Sequence, residues 1–463
     1  MPAQQRRLGV CAVIDLNNIM RYHENNRIEA KKAAGGFPHS LWETYSAFAN
    51  TIGGLILLGV EESRDKELTV TGVPDAAGYE AEIWQTLQDP AQVSVNILSP
   101  EDVAVHTIDG KDVLVVHVPR ASRRQRPVYI GDSPFHGTYR RDGEGDYHCS
   151  PEEVRAMLRD QSDAPADLAV LEGRQADDLS PETIRAFRLK VVMRRPDHPW
   201  NPLPDPRFLV KAGALGPGGA HPTLAGLLLL GRRGAVREVF PRLRLVYQEE
   251  GFTRSSVMGD GPENLYQFYT MVTARLTALS ALLIQDPAAE DELAGAMREA
   301  VRNAVLHADY FSPGGLTIRL TEEGLKVSNA GLLRAPADGQ PDQPRNRGLV
   351  QLFSLLHPDL GEGKGLAGIY RVWDRRGWRA PVLSEAFRAG VTELSLPLPG
   401  PGVTAEEVTR QQIVEELTDR VTARPADMAR ALGLDPPAVE DALRGLVRDG
   451  LVVVTPEGYA LRA

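Results

Sequence analysis

Between Glu299 and Tyr310 the chain reads Glu-Ala-Val-Arg-Asn-Ala-Val-Leu-His-Ala-Asp-Tyr. On a helix at about 100° per residue, Glu299, Asn303 and His307 share one polar stripe, while Leu293, Met297, Val301, Ala304 and Val305 carry the apolar side. A carboxylate and an amide one turn apart can serve a triphosphate: Asn303 offers a neutral oxygen to Mg²⁺, and Glu299 orients or deprotonates a water. The same spacing also describes a surface helix whose polar side is simply solvated.

Around this helix the chain supplies the parts of a cleft. Leu316–Leu320 and Leu325–Ser328 alternate like two strands joined near Glu323-Gly324, and they end at Asn329-Ala-Gly331. A Pro-rich stretch from Arg334 to Arg347 follows. Gly361-Glu-Gly363-Lys-Gly365 then runs into the apolar series Ile369, Val372 and Trp373. Glycines ahead of a helix let backbone N–H groups approach phosphate oxygens, and the helix dipole favours the anion.

This order of elements resembles the Bergerat fold of the GHKL type, the α/β sandwich of gyrase, Hsp90, histidine kinases and MutL. More narrowly, Arg302–Tyr310 followed by Ser328-Asn-Ala-Gly331 is similar to the RecG carboxy-terminal-like family associated with transcriptional regulation. Pro222-Thr-Leu-Ala-Gly-Leu-Leu-Leu-Leu-Gly231 is similar to a strand motif of that family. The resemblance implies ATP and Mg²⁺ as cofactors, with Asn303 as metal ligand and Glu299 as the base of an ATPase. It also implies His307, Asn329, Gly331, Gly361, Gly363 and Gly365 as ATP contacts. Where the broader fold has an Asp on the adenine amino group, this chain has Asn329, a neutral and weaker acceptor. The 334–347 stretch would be the lid, bringing Arg345 and Arg347 to phosphates; its other reading is a surface loop. The chain has no Gly-x-x-x-x-Gly-Lys-Ser/Thr phosphate loop, so no helicase is expected.

The amino-terminal part carries a second constellation. A helix is expected over His39–Asn50, then a buried strand opened by Gly53-Gly54, another at Val113–Val118, and short strands at Pro127–Ile130 and Gly137–Tyr139. Ala47-Phe-Ala-Asn-Thr-Ile-Gly-Gly54, Glu24-x-x-x-x-Glu29-Ala-Lys31 and Tyr139-Arg-Arg141 resemble the AlbA-type domain of Schlafen proteins. That resemblance implies nucleic-acid binding. As an alternative it implies a metal-dependent ribonuclease on Glu24, Glu29 and Glu62, three carboxylates able to hold a divalent ion and activate water. Here Glu62 stands where Asp is usual, and Ala30 where Phe is usual.

From Arg120 to Arg141 six arginines (Arg120, Arg123, Arg124, Arg126, Arg140 and Arg141) face one acid, Asp132. Arginine suits bidentate phosphate contacts, Lys31 adds charge, and Tyr129, Phe135 and Tyr139 offer rings on which bases can stack. A solvated loop beside core aromatics is the competing reading.

After Pro397–Gly402, three short helices and a hairpin are expected, which looks like a winged helix-turn-helix. Its third helix exposes Arg444 and Arg448 beside Glu440 and Asp441, and residues 403–463 hold seven arginines against eleven acids. That balance opposes tight autonomous DNA binding and makes a dimerisation role a rival.

The 463 residues suit about three domains, and a net charge of −10 excludes a polybasic non-specific binder. Cys11 and Cys149 are too few for a disulfide framework, and no apolar run approaches the roughly 20 residues of a membrane span. The expectation is therefore a cytoplasmic α+β multidomain protein: a Schlafen AlbA-like domain over 1–160, a connecting segment with first strands over 161–270, a GHKL-like domain over 271–400 and a winged helix over 403–463. Its partners would be nucleic acid, DNA ahead of RNA, and a second copy in a homodimer. A nucleotide-free scaffold is the remaining alternative.

Overall fold

The computed structural model describes residues 25, 27–63, 66–249, 252–256, 261–284, 286–321, 323–334, 343–358, 365–398, 405–418, 422–432, 434–456 and 458–461. The chain divides into two compact units. Residues up to Gln161 group with those from Val403 on, and Ser162–Arg334 groups with Pro341–Gly402.

In the amino-terminal part, β1 (Ile28–Lys31), β2 (Gly54–Leu58), β5 (Val103–Ile108) and β6 (Lys111–Val118) form a sheet of order β1-β2-β6-β5. β1 and β2 run parallel and the other neighbours antiparallel. Ile56 and Leu58 pack with α1 (Leu41–Asn50) and α2 (Ala76–Leu87); Leu55 and Leu57 join a second core with Val60 of β3 (Val60–Glu62) and Leu68 of β4 (Leu68–Val70). Burial on both faces explains why β2 reads as an unbroken apolar run. β7 (Tyr139–Asp142) and β8 (Gly145–His148) form a hairpin, and α3 (Pro151–Gln161) follows. The strand expected over Pro127–Ile130 is reduced to isolated bridges, Val93 to Ile130 and Tyr129 to Thr138.

The second unit opens with α4 (Pro181–Arg194), α5 (Asp205–Ala212) and α6 (Leu224–Leu230). The expected strand motif at Pro222–Gly231 is thus a helix. Thr223 caps it by accepting from the Gly226 amide at 3.0 Å, and every residue of Leu224–Leu230 is buried. A short, wholly apolar run has no periodicity to separate a buried helix from a buried strand. Residues 161–270 are also more than a connection, because these leucines enter the same core as Leu293, Val301 and Trp373.

β9 (Leu245–Glu249), β10 (Phe252–Ser256), β11 (Leu316–Leu320), β12 (Gly324–Ala330), β13 (Val382–Ala386) and β14 (Val391–Pro397) form a six-stranded sheet of order β10-β9-β11-β12-β14-β13. The predicted hairpin is β11–β12, registering Leu316 with Asn329 and Leu320 with Leu325. Helices α7 (Leu265–Leu283), α8 (Pro287–His307), α9 (Arg347–Leu356) and α10 (Gly365–Arg376) complete the unit. Along α8, Leu293, Met297, Val301, Ala304 and Val305 are buried, while Glu299, Asn303 and His307 are half-buried, as the stripe requires.

In the carboxy-terminal part, α11 (Ala405–Thr418), α12 (Pro425–Leu432) and α13 (Pro436–Arg448) precede a hairpin of β15 (Val452–Thr455) and β16 (Gly458–Leu461). Ile413, Met428, Val439, Leu443 and Val452 share its core.

Candidate nucleic-acid interface and nucleotide hollow

Asn303, His307 and Asn329 line one hollow together with Thr392 and Arg345, and a Cβ placed on Gly365 would stand 3.9 Å from Asn303 Oδ1. Helix α8, the end of β12 and the start of α10 are thereby brought together. The hollow measures about 110 Å³. Small-ligand pockets are typically about 300–1,000 Å³.

Arg345 forms part of its wall. Its guanidinium donates to the carbonyl oxygen of His307 and, at 3.0 Å, to that of Leu332. Gly331 lies against it with φ +95°, where a Cβ would come within 2.6 Å of Nη1. Asn346 Nδ2 donates to the Leu306 and Ala308 carbonyls at 3.2 and 2.8 Å. Carbonyls in the last turn of a helix have no partner within it. The segment expected to carry lid cations thus caps the end of α8, with Arg345 engaged by backbone carbonyls.

Glu299 does not line this hollow. It borders a separate, larger cleft, with its carboxylate bonded to Arg302 and, at 3.0 Å, to Asn303 Nδ2. Arg302, three residues on, is buried and draws the carboxylate to itself. The acid and amide of the expected ATPase pair are thus hydrogen-bonded to each other, with Glu299 bordering the larger cleft and Asn303 the smaller hollow. Gly361 and Gly363 lie outside the described residues, as does the 335–342 part of the lid.

In the amino-terminal part the arginines divide sharply. Arg123, Arg126 and Arg141 are 8 %, 3 % and 3 % exposed, which withdraws them as phosphate contacts. Arg123 Nη1 donates to the Asp160 carbonyl at 3.0 Å, capping the end of α3. Arg141 ties β1 to β8: it pairs with Glu29 and Asp146 at 3.0 Å each, donates to the Asn25 carbonyl at 2.8 Å and lies 5.1 Å from the Phe48 ring centre. Asn50, fully buried, bonds Val128 through both backbone groups and the Tyr139 carbonyl, which fixes this segment on α1.

Arg124 is exposed, Arg120 half-buried, and Arg140 pairs with Glu153 and Asp142. Tyr139 is buried, whereas Phe135 and Tyr147 are exposed. Arg140 lies 5.6 Å from the Tyr147 ring centre, and Arg155 lies 5.8 Å from that of Phe135. Neither Tyr147 nor Arg155 was singled out from sequence. Tyr147 is the register partner of Arg140 on β7–β8, a pairing visible only once the hairpin is known.

Of the carboxylate trio, only Glu29 and Glu62 fall among the described residues. Glu24 lies outside the described residues. Glu29 has one oxygen on Lys31 Nζ at 2.9 Å and the other on Arg141, so a dication there would have to displace two cations. Lys31 is correspondingly engaged. Among the described residues no group of three His, Cys, Asp or Glu side chains, Glu62 included, forms a metal-sized cluster. Cys149 is buried, and that burial pushes its thiol up to about 12, which removes it as a nucleophile at neutral pH. In the carboxy-terminal part Arg444 and Arg448 are exposed on α13, with Arg444 paired to Asp441. No helix among the described residues is long and apolar enough to cross a membrane.

With this geometry in place, the comparisons fall on defined segments. Residues 24–150 match the Schlafen AlbA_2 family profile, so the chain carries a Schlafen-type AlbA_2 domain. Residues 155–246 match a domain of unknown function, DUF8451, which spans α4 to α6 and the start of β9. No curated protein matches the chain. The crystal structure of the DIP2311 protein from Corynebacterium diphtheriae is 18 % identical, with a TM-score of 0.40, over 99 % of this chain and 84 % of that one. The solution structure of the N-terminal domain of a RecG-related protein from Nitrosomonas europaea is 29 % identical, with a TM-score of 0.21, over 32 % of this chain and 94 % of that one. Both superpositions are loose; the AlbA_2 match is the stronger finding.

Proposed function

We propose that this chain is a nucleic-acid-binding protein, acting in regulation rather than catalysis, and that its AlbA_2 domain makes the contact. The observation that carries the reading is that two exposed rings, Tyr147 on β8 and Phe135 just ahead of β7, each lie beside an arginine, half-buried Arg140 and exposed Arg155. An exposed ring beside a guanidinium offers a stacking platform next to a phosphate partner, which suits unpaired bases. Arg124 and Arg120 extend the cationic surface. DNA is the expected partner, and a single-stranded stretch the preferred form.

Fluorescence anisotropy with labelled single-stranded DNA, duplex DNA and RNA tests this. Replacing both Phe135 and Tyr147 by Ala should weaken single-stranded binding by at least about tenfold, since stacking contributes about 1–3 kcal/mol per base. Unchanged affinity would remove the stacking platform.

A second reading concerns ATP with Mg²⁺ at the Asn303 hollow, supported by the convergence of Asn303, His307, Asn329 and Gly365. At about 110 Å³ the site is smaller than a typical ligand pocket, and Arg345 is one of the side chains whose removal would enlarge it. Calorimetry with a non-hydrolysable analogue should then show tighter binding to an Arg345→Ala variant than to the wild type. No binding to either would eliminate this reading. For the carboxy-terminal part, the three-helix and hairpin order supports a winged helix, and its acid excess supports a subunit contact in a homodimer over direct DNA readout.

A further inference from the structure

The larger cleft of the second unit is unaccounted for by any of these readings. It holds about 940 Å³, the size of a pocket for a nucleotide-sized molecule, and its walls come from α4, α7, α8, α10 and the end of α9. Lys190, Arg194, Arg298 and Arg302 line it, and Arg302 is paired with Glu299. Lys190 and Arg194 are exposed on α4, and neither is ion-paired among the described residues. Arg298 of α8 donates to the Thr277 hydroxyl at 3.0 Å, a neutral acceptor that a phosphate oxygen would outcompete.

The acids on the same walls are already neutralised. Glu292 bonds Arg375 and Arg376 at 2.6 Å each, and Glu299 is held by Arg302 and Asn303. Apart from Arg302, three cations from two helices therefore line one cleft without a carboxylate complement, in a chain whose net charge is −10. In such a protein a local positive cleft collects anions rather than repeating the background.

We propose that this cleft binds a small molecule carrying two or more linked phosphate groups. Two guanidinium forks and an ammonium match the oxygens and charge of an oligophosphate better than those of a single carboxylate. The site is separate from the Asn303 hollow, because Asn303, His307 and Asn329 do not line it.

Isothermal titration of the full chain with inorganic tripolyphosphate tests the assignment. Saturable binding should occur with one site per chain, and raised salt should weaken it. A Lys190→Glu/Arg194→Glu variant and an Arg298→Gln variant should each lose about tenfold or more, the factor expected when charge-assisted hydrogen bonds are removed. Asn329→Ala should leave the affinity unchanged. The milder Lys190→Gln/Arg194→Gln variant, with an unchanged melting temperature, guards against misfolding as the cause. Absence of binding at millimolar tripolyphosphate overturns the proposal. So does affinity that survives the cleft substitutions, or affinity lost only with Asn329→Ala.

Discussion

Arg124 and Arg141 lie within one cationic segment, yet one is exposed and the other is sealed among Glu29, Asp146 and two backbone carbonyls. Composition cannot separate them, because the same guanidinium fork serves a phosphate or a pair of buried carboxylates equally well. The separation comes from register. Arg141 sits opposite Asp146 on the β7–β8 hairpin and beneath β1, where its side chain is 1 % exposed. Replacing it by Ala leaves Asp146 without its cation and Glu29 with Lys31 alone, and should destabilise the domain by about 3–5 kcal/mol in denaturant unfolding. Arg124→Glu should leave that unfolding curve in place while lowering nucleic-acid affinity. A folded, stable Arg141→Ala protein that has lost only binding would reverse the assignment of these two residues.

At the scale of elements, the sheet-forming runs and the amphipathic helices were legible, since burial on one side leaves a period in the sequence. The stripe on α8 and the hairpin β11–β12 show this. The Leu224–Leu230 run was not, because uniform burial erases the period. Nor was the role of Arg345 and Asn346, whose partners are backbone carbonyls of a helix some forty residues earlier. Of the residues expected around a triphosphate, Asn303, His307 and Asn329 share one hollow, whereas Glu299 borders the other cleft. A similar long-range tie holds β6 to the turn before β5: Asp102 accepts from the Ser99 amide at 2.7 Å and meets His117 Nδ1 at 2.8 Å. Burial pushes the Asp102 carboxyl up, but the His117 and Ser99 hydrogen bonds outweigh it and hold the group below the usual carboxylate range. A carboxyl depressed in the folded state lends stability that is complete above its unfolded pKa and is lost as pH falls through the folded one. Acid unfolding of the wild type should therefore steepen below the ordinary carboxylate range, and Asp102→Asn should flatten that limb. Identical acid limbs would show that Asp102 contributes nothing there.

For the molecule as a whole, charge separates the roles of its parts. The carboxy-terminal part carries four more acids than arginines, and its hairpin region exposes Leu451 and Val454. If it joins two copies, light scattering should give twice the 50.6 kDa chain mass, and Val454→Asp should shift the mass toward the monomer. A monomeric wild type would end the dimer reading without touching the nucleic-acid one. The central claim is that polynucleotide lies on the AlbA_2 domain, across the Arg-aromatic pairs of β7–β8 and the helix beyond. Photo-crosslinking of the full-length protein to bromodeoxyuridine-substituted single-stranded DNA, followed by peptide mapping, tests it most directly. Adducts should fall on Phe135 or Tyr147; adducts confined to residues 405–461, or none on residues 120–161, would contradict it.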